Sequence, residues 1–78
     1  MTNVSVADLR AGESGRVLRV SGGCGVQRRL QALGIRPGAT VTKVSAAFRP
    51  GAIVVAAGGG QAALGYGVAR KVVVEVRP

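Results

Sequence analysis

The chain of 78 residues has no histidine and no tryptophan, one cysteine, one Phe, one Tyr and only three acids. Each shortage excludes something. With no imidazole, and with Asp8, Glu13 and Glu75 scattered, the sequence offers no acid–base pair and no close carboxylate dyad, so no catalytic residue and no enzyme is expected. Cys24 and the same acids are the remaining ligand-type side chains, and none of them stand at metal-site spacing. No metal or cofactor site within one chain is therefore expected, although a site shared between subunits through Cys24 stays open. A lone cysteine forms no internal disulfide, which suits a reducing compartment. The opening "MTNVSVADLRAG" has no apolar signal core, and the longest apolar run, residues 52–57, is far too short for a bilayer span. The expectation is a cytoplasmic protein whose membrane role, if it has one, is peripheral.

What is present is aliphatic and basic. Hydrophobic residues make up 47% of the chain, mostly Val, Ala and Leu, which is enough for a small core. The length predicts one domain, residues 1–78. Eleven Lys and Arg against three acids give a net charge of +8, which favours nucleic acid, an acidic protein surface or a negative membrane face.

Along the chain, "SVAD" (Ser5 to Asp8) has the spacing of a helix-capping signal and predicts a short helical turn holding Leu9. Gly12 and Gly15 are expected to bracket a turn. Arg16 to Val20 reads as the first strand, with Leu18 and Val20 on one face and Val17 and Arg19 on the other. "SGGCG" is a loop. In Val26 to Leu33 the apolar residues Val26, Leu30 and Leu33 fall at i, i+4 and i+7, a narrow helical stripe flanked by Arg29. Gly34 suits the left-handed position that ends a helix, letting Ile35 fold back onto Leu30. Pro37-Gly38 fits the centre of a type II turn.

Short strands follow. Thr40 to Val44 has a Val41/Val44 spacing that breaks alternation and predicts a bulge. Phe48 to Gly51 turns the chain, Ile53 to Ala57 is apolar on both faces, and "GGGQ" turns it again into a strand at Gln61 to Leu64. Tyr66 to Arg70 is compatible with one helical turn, weakened by Gly65 and Gly67. Val72, Val74 and Val76 alternate in a final strand. About five short strands, one firm helix and one or two helical turns predict a mainly β fold. A small closed or nearly closed barrel suits it best, because closure removes sheet edges.

Two motifs bear on function. "GGCGVQRR" opens a helix from a glycine loop, as an anion site would, but lacks the Lys and Ser/Thr of a nucleotide loop, so a linker loop is preferred and Cys24 reads as a loop cysteine. A basic small barrel binding RNA or DNA is the rival reading for the charge, but such proteins stack bases on aromatics, and this chain offers only Phe48 and Tyr66.

The order "ADLRAGESGRVLRV", "RRLQALGIRPGATV", "AIVVAAGGGQAALGYGVARKVVVEV" resembles the FeoA family over nearly the whole chain. The most specific part is "RRLQALGIRPG", with Arg28, Arg29, Leu30, Leu33, Gly34, Ile35, Pro37 and Gly38 on the family's signature. Leu9, Gly12 and Gly15 match its opening, and Leu64 and Ala69 match the pair before its last strand. The resemblance implies an SH3-like barrel that acts as a non-enzymatic accessory of bacterial ferrous iron uptake, docking on the cytosolic GTPase region of the FeoB transporter. The same fold occurs as the C-terminal domain of iron-dependent repressors. Arg28, Arg29 and Arg36 are the expected partner-binding residues, while Leu30, Leu33, Gly34 and Pro37 are expected to be structural. Two features depart from the family: "GYGV" replaces its usual charged helix formers, and the charge of +8 is high, which would favour docking beside anionic lipid. Self-association through the Val-rich last strand is the further alternative, unless a barrel uses that edge.

Overall fold

The computed structural model describes residues 2–46 and 52–76. Within them six antiparallel strands form one sheet: β1 Thr2–Ser5, β2 Ser14–Val20, β3 Thr40–Ala46, β4 Ala52–Ala57, β5 Gly60–Gly65 and β6 Val72–Val76, in the order β1-β6-β2-β3-β4-β5. A 3-10 turn, Val6–Asp8, follows β1; helix α1, Cys24–Ala32, joins β2 to β3; helix α2, Tyr66–Ala69, joins β5 to β6. The turn expected at Phe48 to Gly51 lies outside the described residues.

Valine alternation explains the centre of the sheet. Val72 and Val74 of β6 are fully buried, and β6 lies between β1 and β2. The last strand therefore has both edges occupied by its own chain and offers none to a second copy. Val17, Val41 and Val55 join the same core, with Leu30 from α1 and Ile35 just beyond it. Each such aliphatic side chain contributes about 1.5–3 kcal/mol by leaving water. The sheet's edges, β1 and β5, are drawn towards each other because α2, which follows β5, touches the 3-10 turn that follows β1.

Several expectations need correction. Among the described residues the strands number six where about five are expected; β1 is the addition, since "TNVS" has a single apolar residue and no alternation, and pairing with β6 from Thr2↔Val76 to Ser5↔Val73 makes it a strand. Gly15 lies inside β2, not in a turn, and a Cβ there would sit 2.7 Å from Val74 Cγ2. In β2 the register shifts between Val17 and Arg19, so Val20 as well as Val17 packs against the core while Leu18 is 40% exposed. The bulge breaks the simple alternation that put Leu18 on one face with Val20. The expected irregularity in β3 is present, between Lys43 and Ser45. The "SVAD" turn forms, but Ser5 Oγ donates to Asp8 Oδ2 at 3.1 Å and makes no bond to the backbone. Leu9 caps this turn and is buried.

Lys43 is 8% exposed, an unusual place for an amine. Its Nζ donates to the carbonyls of Leu9 at 2.7 Å and Ala7 at 3.3 Å, while its own carbonyl accepts from Gly12 N–H at 2.6 Å. The side chain thus closes the end of the 3-10 turn, satisfying carbonyls that burial would leave costly.

Candidate functional site

The "RRLQALGIRPG" stretch forms the helix end, stop and turn that its residues predict. Gly34 has φ +84°; its N–H donates to Gln31 O at 2.9 Å, and Ile35 N–H reaches back to Leu30 O at 2.8 Å. This pair of bonds is the Schellman stop, which places Ile35 beside Leu30 in the core. Gly38 has φ +92°, and Ala39 N–H donates to Arg36 O at 3.0 Å, closing a type II turn around Pro37. Gly38 N–H and Val17 N–H then tie the turn to β2, each at 2.8 Å.

The stop also fixes what α1 faces. Gly58 and Gly59 have φ of +61° and +82°, and Ala57 pairs with Gly60. Both central residues at positive φ make a type I′ hairpin between β4 and β5. A Cβ on Gly34 would lie 2.9 Å from Gly58 Cα, and one on Gly58 3.2 Å from Gly34 Cα. Backbone meets backbone at this crossing, so the end of α1 is clamped against the hairpin and α1 runs beside β5.

Between α1 and β5 lies a cleft with two stretches. One, of about 390 Å³, is lined by Val26, Arg29 and Leu30 of α1, Leu33, and residues 62–65 with Val68. The other, of about 370 Å³, is lined by residues 31–36 across from residues 57–58 and 60–62, with Val55. They share Ala32, Leu33 and Ala62. Among the described residues no acidic side chain lines either stretch. Arg29 lies on the first and Arg36 on the second, and both are exposed. Arg28 is exposed on α1 and lines neither. The expected cation trio is therefore split, with Arg29 and Arg36 sharing one cleft and Arg28 standing outside it.

Leu33 was expected to be structural. It is 37% exposed and lies where the two stretches meet. The helical stripe predicted its face but not its depth, because α1 ends at Ala32 and the chain turns away at Gly34. Tyr66, at the start of α2, is 50% exposed, with the Arg70 guanidinium 5.8 Å from its ring centre. Arg19 was not singled out by sequence; it shares a small cleft of about 170 Å³ with Gln27, Gln31 and Arg36 on another side of α1. Only the β2–α1 packing brings it there.

The glycine loop before α1 leads into a helix capped by Gly23, with Cys24 exposed at its first position. Gln27 Nε2 donates to Gly22 O at 3.2 Å, so a helix side chain ties down that loop carbonyl. Among the described residues no three His, Cys, Asp or Glu come together as metal ligands would, and no helix is long and apolar enough to cross a membrane.

A single antiparallel sheet of six short strands with a short helix before its last strand suits a small SH3-like protein. The solved structures agree. The FeoA protein of Stenotrophomonas maltophilia, solved with zinc as a prokaryotic SH3 domain protein, is 28% identical; the match covers 92% of this chain and 89% of that one, with a TM-score of 0.77. The FeoA of Chlorobium tepidum is 26% identical over 96% of this chain and 71% of that one, at 0.84. An iron uptake regulatory protein, also a FeoA, is 29% identical over 95% and 97%, at 0.86. A manganese-dependent transcriptional repressor shares the fold over 42% of its own length at 22% identity and a TM-score of 0.85. No curated protein sequence matches the chain significantly. Residues 4–76 match the FeoA domain, and the chain belongs to the FeoA family.

Proposed function

We propose that this chain is a non-enzymatic accessory protein of bacterial ferrous iron uptake that acts in the cytoplasm as one SH3-like domain and docks on the GTPase region of the FeoB transporter. The role in iron transport follows the family, whose Stenotrophomonas maltophilia member has been put forward as a ferrous iron transport activating factor. The observation that carries docking is the cleft beside α1, where exposed Leu33 sits between the Arg29 and Arg36 stretches. An apolar centre with arginine at its margins is the usual make-up of a protein-binding surface. Arg28 extends that basic margin along α1, and Arg28, Arg29 and Arg36 are the proposed contact residues.

The test is an NMR titration of the labelled chain with the soluble GTPase domain of its FeoB. Saturable shifts over residues 28–38 are expected. The double variant Arg28→Glu, Arg29→Glu should keep the folded spectrum and bind at least about tenfold more weakly, the size of a typical arginine anchor. Unchanged binding by that variant would remove both arginines from the interface. A short RNA that shifts the same residues, while the GTPase domain shifts none, would turn the assignment to nucleic acid.

A further inference from the structure

The cleft contains an unused strand edge. β5 ends the sheet, with β4 its one neighbour. In the type I′ hairpin, Ala57 and Gly60 exchange both backbone bonds, so bonded and non-bonded pairs alternate from there. Gly60, Ala62 and Leu64 turn their amides to β4. Gln61, Ala63 and Gly65 turn theirs away from the sheet. Among the described residues, these outward N–H groups make no backbone bond outside the sheet, while the Gly65 carbonyl, at the N-cap of α2, is taken by the first bond of that helix. Every residue from Gly60 to Gly65 lines the cleft in one stretch or the other. Since successive side chains point to opposite faces, a cleft that touches all of them looks at the strand edge-on.

This edge also lacks the usual protection. Natural edges are blunted by lysine, proline or a bulge. "GQAALG" has no charge and no proline, its register with β4 is unbroken, and Gly60, Ala62, Ala63 and Gly65 add little side-chain bulk along it. Opposite it, the wall of α1 supplies an apolar surface and a guanidinium at Arg29.

We propose that the open edge of β5, walled by α1, takes an extended segment of a partner protein as an added strand, and that this segment alternates apolar and acidic residues. This deepens the docking role proposed above and rests on it for the partner's identity. Backbone bonds to Gln61, to Ala63 and to the Gly65 N–H supply the register, and apolar side chains fill the cleft beside Leu33. Carboxylates meet Arg29 and Arg36. Charge decides against a second copy of this chain as occupant. Each copy carries +8, and pairing β5 with β5 would set two arginine-lined walls against each other.

The probe is a short synthetic peptide alternating valine and glutamate, titrated into the full labelled chain, with a proline-interrupted peptide and a valine–lysine peptide as controls. The expected result is saturable binding, with hydrogen exchange slowed at the Gln61, Ala63 and Gly65 amides and no binding of either control. Ala63→Pro removes an outward N–H and no bond to β4, a change that an edge strand accepts. It should keep the fold and weaken the peptide at least about tenfold. If the proline chain does not fold, Ala63→Glu and Ala63→Lys at the same exposed position replace it, with glutamate weakening binding and lysine not. Equal binding of the proline-interrupted peptide, or no effect of any Ala63 variant, would overturn the proposal. So would slowed exchange at the three amides that grows with chain concentration and no peptide, since that places a second copy on the edge. The FeoB reading fails separately: a GTPase domain that does not bind a chain whose β5 edge does take the peptide rejects the partner and leaves the strand site standing. A domain that binds Ala63→Pro unchanged rejects the strand site and leaves the partner.

Discussion

The signature glycines show how much a single residue can carry here. Gly34 is held at positive φ by the helix stop and has Gly58 Cα 2.9 Å from where a Cβ would stand. Gly59 is also at positive φ, but nothing lies within 4 Å of its missing side chain. Alanine at Gly59 therefore meets only the left-handed penalty, about 1 kcal/mol. Alanine at Gly34 meets that penalty and a backbone clash that no rotamer relieves, for a loss of about 2–4 kcal/mol. Urea unfolding of the two variants checks this. Equal losses would mean that the helix end and the hairpin are not in contact. The positive φ of Gly34 was legible from "ALGIRPG", but its contact with Gly58 was not, because the two residues are joined only by the fold.

At the scale of elements, α1 serves two masters. Leu30 is 1% exposed and anchors the helix in the core, while Leu33, one turn on, is 37% exposed in the cleft. Leu30→Ala should lower stability by about 2–5 kcal/mol, as cavity-forming core changes do. Leu33→Ala should change it by less than about 1 kcal/mol and instead weaken partner binding. Chemical denaturation beside a binding titration separates the two effects. A large stability loss at Leu33 would return it to the structural role that its spacing suggested. The strands show the same division. Alternation predicted β6, yet the bulge in β2 turned Leu18 outward against its expected pairing with Val20. β1 is a strand only because β6 offers it an edge.

For the whole molecule the dominant quantity is charge. Every described arginine is exposed, and Lys43 is the described cation taken into the interior. An excess of +8 on so small a surface attracts an acidic partner from beyond contact distance. Association with the GTPase domain should therefore slow roughly tenfold between about 0.01 M and about 0.5 M salt, while dissociation changes less. Stopped-flow measurement of both rates tests this. A salt-independent association rate would assign binding to the apolar cleft alone.

Local chemistry made the signature readable in advance. An apolar residue at every helical turn, a glycine where φ must be positive and proline before glycine each act on their nearest neighbours, so the helix, its stop, the turn and the valine strand could be placed from their residues. The FeoA likeness rests on those same positions. Tertiary structure alone decided which residues share a surface. Strand order left β6 enclosed and β5 open, and the Gly34–Gly58 crossing laid α1 along that open edge. It put Arg29 and Arg36 on one cleft and left Arg28 outside it. The physical reason is range. Backbone conformation is set by residues a few positions away, whereas a cleft is set by packing between segments far apart in the chain, and no spacing in the sequence records it.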